Sequence, residues 1–535
     1  MENLSFYQIL KQTTLKYPNE DALYYENHAY SYKYVLNETN KLADALHNLG
    51  VKKYDVVTIC MPNTPEAVYA FYAISYLGAI CYEVHPKTTK TMMRRFLKES
   101  KSKVLIVLNI FANQYTELLD EMDLKIITCN PFEKHHPFMN LACSIKSKLN
   151  HQGFIPYHKL KYPKNCAKEN SLLPTETSVY LNSGGTSGEP KIIELSSKAI
   201  NALSSQGTTI LGITDPIGIY MLGVLPMFHG FGLCMGIHAP ISFGACVSLM
   251  TKFSPKKTIK LIKKKHCTII IGVPGLFKSL LKQPDFYTEH LANLQVSYVG
   301  GDFVPEDLTN KFNETMEKFN SKARLYEGYG LTETVTVCNV NTDANHRAHS
   351  VGLPVGDCQN QIVDLKTRKP LAANEIGEIC VSGSSLMNGY LHDEELTNKT
   401  FLIDENGTKW VLTGDYGYMD SDGYLYFKQR LKRVVKISGV IICPSDVENA
   451  VNKLDEVFEA YATDIFDESR GSMIKLFVTK NKNIKSTDEE LTKKLKAVIT
   501  EEVSVYASPK EIIYIDKMPK TDVGKIDSKY LESIK

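Results

Sequence analysis

The chain contains 535 residues, which is too long for one ordinary hydrophobic core and predicts two or more domains. Its composition, with 43% hydrophobic and 23% charged residues, is that of a soluble globular protein. The 62 basic residues nearly balance the 60 acidic ones, so the charge gives no support for nucleic-acid binding as the main activity.

The cysteines and the N-terminal segment indicate the compartment. Twelve cysteines occur without a CxxC pair or a regular spacing, which favours reduced cytosolic thiols over a zinc site or a disulfide framework. The first residues, MENLSFYQILKQ, contain neither a basic region nor a long apolar core, so no signal peptide is expected. We therefore predict a cytoplasmic protein.

The first hundred residues alternate between strand and helix patterns. The β-rich run 56–60 predicts a strand, and Thr64 followed by Pro65 predicts the N-cap and first residue of a helix that ends at Gly78. Further elements of the same alternation follow at 79–84, 91–99, 104–108, 268–273 and 295–301. This alternation predicts a parallel sheet with helices packed on both of its faces.

Two segments invite other interpretations. Residues 220–250 contain no Lys, Arg, Asp or Glu and are long enough to span a membrane. However, Pro226, Pro240 and several glycines divide the segment, so a buried strand, loop and helix are favoured. The lysine-rich segment 256–267 could bind a polyanion, but its apolar side favours a solvated helix face.

The sequence changes character after about residue 350. The stretches 375–383, 409–428 and 433–442 predict twisted antiparallel strands joined by Asp-Gly turns. The last hundred residues predict a small α+β unit with helices near 445–454 and 488–503.

A glycine-rich loop, LNSGGTSGEPK at 181–191, has the composition of a phosphate-binding turn. Consecutive backbone N–H groups of such a turn can form a concave anion nest, and Lys191 adds a point charge. The loop lacks the Gly-Lys-Ser/Thr ending of a P-loop. Taken alone, it could equally be a solvent-exposed Gly/Ser turn.

Four further stretches accompany the loop in a fixed order: YEGYGLTET (326–334), WVLTGDYGYMDSDGYLYF (410–427), QRLKRVVKISGVIICPSDVENAV (429–451) and PKTDVGKID (519–527). Together with the loop, this set resembles the adenylate-forming superfamily, which includes acyl-CoA synthetases, aryl-CoA ligases, luciferase and peptide-synthetase adenylation domains. GEICVSGSSLMNGY (377–390) and residues 31–63 match further stretches of that family, so the resemblance covers essentially the whole chain.

The resemblance implies a fold of the α/β class. It consists of a large N-terminal AMP-binding domain, at 1–430, with parallel α/β sheets and a small β-barrel-like part. A small mobile α+β domain, at 431–535, follows it. The family activates a carboxylate with ATP and Mg²⁺, releases pyrophosphate and leaves an acyl-adenylate.

The resemblance also assigns the nucleotide site. The phosphate cradle is Ser183, Gly184, Gly185, Thr186, Ser187, Gly188 and Lys191, and the magnesium contacts are Thr186 and Glu333. Tyr329 matches the aromatic that stacks on adenine, Asp415 the carboxylate that accepts from the ribose hydroxyls, and Arg430 a second ribose or phosphate contact. The remaining nucleotide contacts are expected at Gly300, Gly301, Asp302, Tyr326, Glu327, Gly328, Gly330 and Thr332.

Three sets of residues carry the implied chemistry. Lys525 matches the lysine that bridges the acyl carboxylate and the α-phosphate, where a mobile point charge suits charge that builds at the transition state. Lys432 matches the hinge that swings the small domain. That motion presents Lys436, Ser438 and Gly439 for thioester formation with CoA.

The acyl site is expected around His229, which matches a histidine or aromatic between the acyl group and the phosphates. The pocket is assigned to Phe231, Gly232, Leu233 and Val335. Gly230, Gly232 and Gly236 are interpreted as leaving room for an acyl chain. Because no acid in 220–250 could pair with a substrate ammonium, amino acids are disfavoured.

We therefore predict an ATP- and Mg²⁺-dependent acid:CoA ligase that acts on a medium or long fatty acid, or secondly on an aromatic acid. One alternative is an acyl-AMP ligase that loads the phosphopantetheine of a carrier protein. Another is a nucleotide-binding scaffold without activity. Gly184, which replaces a family serine, and Gln429, which stands where Asp or Gly is usual, remove no charge from the adenylation centre.

Overall fold

The computed structural model describes residues 1–130, 153–163, 166–183, 190–302, 304–437, 440–467, 471–481, 486–520 and 526–534. The chain divides into two compact units. The larger spans Met1–Gly185, Glu189–Gln359 and Val381–Val411, and the smaller includes Asn360–Cys380 and Leu412–Lys535.

A nine-stranded sheet lies in the larger unit. In spatial order its strands are Leu353–Pro354, Val337–Val340, Leu325–Gly330, Val296–Val299, Ile269–Gly272, Tyr220–Gly223, Cys246–Leu249, Asp21–Tyr25 and His28–Ser31. The central six pair in parallel, and the strands at the two ends pair antiparallel.

An eight-stranded sheet lies in the same unit. Its spatial order is Gly389–Tyr390, Ile192–Ser196, Thr177–Asn182, Ile80–Glu83, Val56–Cys60, Ser102–Leu108, Lys125–Cys129 and Phe154–Pro156. The last six strands pair in parallel. The first three pair antiparallel, so a hairpin carries the glycine-rich loop.

Helices alternate with these strands. They are Phe6–Lys16, Tyr32–Asn48, Pro65–Tyr76, Lys90–Ser100, Asn109–Ala112, Thr116–Glu121, Ser197–Ser204, Gly207–Leu211, Ala239–Phe243, Pro255–Lys263, Pro274–Leu281, Glu306–Lys318 and Glu394–Thr400, with a π-helix at Phe231–His238. Short 3-10 helices occupy Asn113–Tyr115, Tyr157–Lys159, Pro284–Phe286, Glu289–Asn293 and Thr332–Thr334. The Thr64 hydroxyl accepts the Ala67 N–H and Pro65 opens the helix, as predicted.

A five-stranded sheet contains Gln359–Val363, Gly377–Ser382, Lys409–Met419 and Phe401–Ile403 in that order, and Leu425–Arg430 pairs with Lys409–Met419. The pairings of residues 401–403 with 409–411 and of 415–419 with 425–430 are antiparallel. This sheet contains the strands predicted at 375–383 and 409–428, whereas those predicted at 433–442 pair antiparallel with each other in a separate two-stranded sheet.

The C-terminal part is α+β, as predicted. Its strands are Val435–Ile437, Val440–Ile442, Val457–Asp467, Gly471–Lys480 and Glu511–Tyr514, and its helices are Pro444–Asn452, Asp488–Glu502 and Ser528–Ser533, with 3-10 turns at Leu431–Arg433 and Val505–Ala507. Leu491, Leu495 and Ile499 bury one face of the long helix against Leu476 and its strand neighbours.

The two ambiguous segments have the favoured structures. The segment 220–250 forms a buried strand, a π-helix, a short α-helix and a second strand. Helix Pro255–Lys263 buries Ile259 and Ile262 and exposes its lysines. Within the described ranges, no helix has both the length and the apolar character needed to cross a membrane.

Candidate functional site

The base of the glycine-rich loop is closed by hydrogen bonds between Ser183 and Lys191. The Ser183 N–H donates to the Lys191 carbonyl at 2.8 Å, and the Lys191 N–H donates to Ser183 Oγ at 3.0 Å. These bonds extend the hairpin pairing of Asn182 with Ile192. The predicted cradle residues Gly184, Gly185, Thr186, Ser187 and Gly188 lie outside the described residues.

The Lys191 side chain forms an ion pair with Asp393. Lys191 Nζ lies 3.1 Å from Asp393 Oδ2. Asp393 also caps helix Glu394–Thr400, because its Oδ1 accepts the Leu396 N–H at 3.1 Å. The helix N–H, followed by Lys191, lowers the pKa of Asp393, so this carboxylate is ionised at neutral pH.

The Glu333 carboxylate is held by Tyr390. The Tyr390 hydroxyl donates to Glu333 Oε1 at 2.9 Å, and the Met387 N–H donates to the Glu333 carbonyl at 2.9 Å. Burial, and then the negative charge of Glu333, raises the pKa of Tyr390. The phenol therefore stays protonated and remains a donor toward the carboxylate.

The motif 326–330 forms a strand beside the turn at Gly300. Strand Leu325–Gly330 pairs in parallel with Val296–Val299, so an added Cβ at Gly300 would lie 2.6 Å from the Gly328 carbonyl oxygen. The structure thus brings the two predicted nucleotide stretches together. Gly301 has a φ of +78°, which favours glycine.

The side chains of this strand have distinct environments. The Tyr326 hydroxyl donates to Asp343 Oδ1 at 2.8 Å. Burial raises the pKa of Glu327 to about 8. Tyr329 is buried, as is Thr332, whereas Asp302 is exposed.

A strained turn follows Glu333. Val335 has φ +64° and ψ −59°, and the Thr336 N–H donates to the Thr334 carbonyl at 2.7 Å, which defines a γ-turn of the rare positive-φ type. Such a backbone is costly for a β-branched residue and persists only where its surroundings enforce it. Its neighbours are glycines: an added Cβ at Gly230 would lie 1.8 Å from the Val335 carbonyl oxygen, and one at Gly330 would lie 1.5 Å from that of Thr336.

We expect Gly330→Ala to lower the free energy of unfolding by about 3 kcal/mol or more, because the added Cβ would collide with backbone that cannot rotate away. The measurement is the first transition of the protein in urea. Gly275→Ala is the matched control. That glycine lies in helix Pro274–Leu281 with no neighbouring atom within 4 Å of an added Cβ, so alanine is expected to be neutral or stabilising. Equal stability of both variants would contradict the close approach.

In the segment around His229, the structure differs from the prediction at two glycines, Gly230 and Gly232. His229 is exposed, and its Nδ1 accepts the Phe231 N–H at 3.2 Å at the start of the π-helix. An added Cβ at Gly232 would lie 2.1 Å from the Pro226 carbonyl oxygen, and Gly230 faces Val335 as described. The interpretation that these two glycines leave room for an acyl chain is therefore wrong, because they accommodate neighbouring backbone.

Gly236 has more space. An added Cβ there would meet only Ile271 Cδ1 at 3.6 Å and the Phe231 carbonyl oxygen at 3.8 Å, which are ordinary contacts. Leu233 and Val335 are each 1% exposed. The assignment of Phe231, Gly232, Leu233 and Val335 to an acyl pocket stays a prediction.

In the smaller unit, Asp415 pairs with Arg430. The two residues are opposite each other in the antiparallel ladder, and Arg430 Nε lies 3.0 Å from Asp415 Oδ1. Asp415 is 1% exposed, whereas the Arg430 side chain is 55% exposed. The Asp415 N–H donates to Thr413 Oγ1 at 3.1 Å.

Glu378 stabilises the turn that precedes Asp415. Its Oε1 accepts the Gly414 N–H at 3.0 Å, and Gly414 has a φ of +68°. The buried carboxylate is also paired with Arg368. These contacts hold the Thr-Gly-Asp turn in one conformation within the smaller unit.

The structure describes no side chain for any of the predicted C-terminal residues. Lys525, Ser438 and Gly439 lie outside the described residues. Lys432 and Lys436 have a described backbone, within a 3-10 turn and a strand, but not a described side chain. Their proposed roles rest on the sequence alone.

The family model for the AMP-binding enzyme matches residues 10–391, and the model for the AMP-binding enzyme C-terminal domain matches residues 446–525. The chain belongs to the AMP-binding enzyme family. The resemblance inferred from the ordered motifs is thereby confirmed.

The relatives of this AMP-binding enzyme include two curated ligases. The long-chain-fatty-acid–CoA ligase of Bacillus subtilis is 27% identical over 98% of this chain and 94% of its own. The 4-coumarate–CoA ligase 2 of Nicotiana tabacum is 29% identical over 94% of this chain and 89% of its own. The solved O-succinylbenzoate coenzyme A synthetase of Bacillus subtilis, in complex with ATP and magnesium ion, has a TM-score of 0.80 at 23% identity and covers 98% of this chain and 99% of its own.

These similarities confirm the α/β fold with its separate C-terminal domain. The prediction of an AMP-forming acid:CoA ligase is confirmed at the level of the family, whose curated members here are acid:CoA ligases. The boundary between residues 430 and 431 and the roles of single residues stay predictions.

Sequence reasoning missed three functional candidates of this AMP-binding enzyme: Tyr390, Asp393 and Glu378. Two of them, Glu378 and Tyr390, lie in the stretch 377–390, which by sequence indicates only a match to the family, and Asp393 lies shortly after it. An acidic N-cap signal was present at Asp393. No local signal indicated its contact with Lys191.

Proposed function

We propose that this AMP-binding enzyme converts a fatty acid and ATP to acyl-AMP and pyrophosphate, and then transfers the acyl group to CoA to release acyl-CoA and AMP. The observation that carries the adenylation step is the arrangement of Lys191 and Glu333. These residues come from two separate motifs, and both are held by the segment Tyr390–Asp393.

Pyrophosphate departure requires neutralisation of developing negative charge. Lys191 supplies a cation at the base of the glycine-rich loop, and the Glu333 carboxylate is an oxygen donor of the kind Mg²⁺ prefers. We assign Glu333 and Thr186 as the protein contacts of the ion. When bound, Mg²⁺ supplies charge stabilisation for the leaving pyrophosphate.

The adenosine end is assigned to the remaining motif residues. The Tyr329 ring is the proposed stacking surface for adenine. The Gly300-Gly301-Asp302 turn, which lies against Gly328, is the proposed border of the base. Asp415 is the proposed acceptor for the ribose hydroxyls, and Arg430, whose Nε lies 3.0 Å from Asp415 Oδ1, is the proposed second ribose or phosphate contact.

The roles of the C-terminal residues in the two half-reactions are assigned from the resemblance. Lys525 would neutralise charge on the acyl carboxylate and the α-phosphate during adenylation. A rotation at Lys432 would then replace it with the segment that contains Lys436, Ser438 and Gly439. The small domain from residue 431 onward would move in this step.

The class of carboxylic acid substrate is proposed from the apolar character of residues 220–250. This segment carries no Lys, Arg, Asp or Glu, so it offers no partner for a charged group on the substrate tail. Gly236 is the position in it where an added side chain would meet only ordinary contacts. A fatty acid is therefore the first choice and an aromatic acid the second.

A panel of fatty, aryl and amino acids tests the proposal through acid-dependent pyrophosphate release followed by thioester formation. We expect turnover with medium or long fatty acids and CoA, and none with amino acids. Gly236→Val should shift the preference toward shorter chains, because the added methyl groups would occupy the space beside Ile271. A Gly236→Val variant with an unchanged chain-length profile would remove Gly236 from the acyl pocket.

Two results would change the assignment. Turnover with a phosphopantetheinylated carrier protein but not with CoA would favour the acyl-AMP ligase. An absence of pyrophosphate release with every acid would favour a scaffold without activity and overturn the proposed function.

A further inference from the structure

The segment Gly389–Asp393 contacts both charged residues of the proposed phosphate site. Its Tyr390 hydroxyl donates to Glu333 at 2.9 Å, and its Asp393 carboxylate lies 3.1 Å from Lys191 Nζ. Neither contact is explained by helix or strand formation. The segment therefore acts on an anionic and a cationic group at the same time.

The segment is itself held by backbone contacts. Gly389 and Tyr390 pair with Glu194 and Ile193, in the strand that leaves the glycine-rich loop. The Tyr390 N–H also donates to Thr397 Oγ1 at 2.9 Å. The phenol is therefore fixed relative to the loop, and the position of Glu333 is fixed through it.

Asp393 is fixed by a different contact. One of its oxygens accepts from the N-terminus of helix Glu394–Thr400, and the other faces Lys191. A carboxylate that caps a helix cannot follow the lysine when the lysine moves. Hence a phosphate that binds Lys191 competes with Asp393 for the lysine ammonium group, and it does so close to a fixed negative charge.

We propose that Tyr390 and Asp393 are positioning residues of the phosphate site: Tyr390 holds Glu333 in place for Mg²⁺, and Asp393 is the counter-ion of Lys191 that competes with the ATP phosphates. The inference rests on the proposed function, because it takes Lys191 and Glu333 as contacts of MgATP. The negative charge of Asp393 opposes phosphate binding, so the affinity for ATP is lower than Lys191 alone would provide.

Equilibrium binding of α,β-methylene-ATP with Mg²⁺, measured by calorimetry on the full chain, tests the role of Asp393. Asp393→Asn keeps an N-cap of equal quality but removes the charge and the surface ion pair, so the fold should be retained and the melting temperature should fall only slightly. The Kd should fall by about two- to fivefold, the range expected for an exposed ion pair. Glu169→Gln is the matched control, because it makes the same charge change and frees Lys11 from a 2.8 Å pair.

Tyr390→Phe tests the second residue in the same assay. The Mg²⁺ concentration needed for half-maximal binding of the analogue should rise by about tenfold, the lower limit for loss of a partner of a metal ligand. Tyr7→Phe, which removes a buried hydroxyl bonded to Asn40 Oδ1 at 2.9 Å, should leave it unchanged.

The outcomes separate the inference from the proposed function. An unchanged or raised Kd in Asp393→Asn, or an unchanged Mg²⁺ dependence in Tyr390→Phe, with normal binding by the wild type, would overturn the inference alone. Absence of binding by the wild type at every Mg²⁺ concentration would overturn the proposed function, and the inference with it.

Discussion

Glu333→Gln is expected to lower acid-dependent pyrophosphate release by about 10²–10³-fold, the loss typical of removing one electrostatic group from a transition-state site. The glutamine amide oxygen can still accept from Tyr390, so the local fold is retained. What disappears is the negative charge that strengthens Mg²⁺ binding. The measurement is pyrophosphate release at saturating acid over a range of Mg²⁺ concentrations.

A surface glutamate of the same unit provides the control. The Glu289 side chain is 87% exposed, so Glu289→Gln makes the same chemical change far from any assigned role and should leave the rate unchanged. If Glu333→Gln released pyrophosphate at the wild-type rate with the wild-type Mg²⁺ dependence, the assignment of Glu333 to the metal would be wrong.

Lys525→Ala is expected to reduce adenylation by a similar factor of about 10²–10³, because the lysine would neutralise charge that builds only at the transition state. Thioester formation from synthetic acyl-AMP and CoA should be unaffected, since the proposed motion at Lys432 removes Lys525 from the site before that step. The two half-reactions are therefore measured separately.

Lys529→Ala is the matched control for this variant. Lys529 is exposed on helix Ser528–Ser533, close to Lys525 in the sequence, and its removal should change neither half-reaction. An equal loss in both half-reactions of Lys525→Ala would indicate a general disturbance of the C-terminal domain. It would refute the separate use of this lysine in adenylation.

Much of the fold follows from local patterns. The strand at 56–60, the cap at Thr64 and the helix that begins at Pro65 were all predictable, because apolar periodicity and capping act over a few residues. The parallel arrangement followed from the alternation of these elements. The order of the motifs was sufficient to indicate the family.

The glycines show where local patterns are insufficient. The sequence alone favours the interpretation of Gly230 and Gly232 as space for substrate, but the structure places the carbonyl oxygens of Val335 and Pro226 against them. A glycine in a sequence is compatible with either interpretation. Only the path of the chain decides whether backbone or ligand fills the space.

By itself, the sequence determined the family, the positions of several strands and helices and the identity of the charged groups, because these depend on neighbouring residues and on motif order. Tertiary structure alone decided which groups meet. Lys191 and Asp393 are 202 residues apart, and they are brought together because Gly389–Tyr390 pairs with the strand that follows the loop. Pairing between distant strands depends on the whole sheet, so no local pattern could have indicated that Asp393 opposes Lys191 or that Tyr390 holds Glu333.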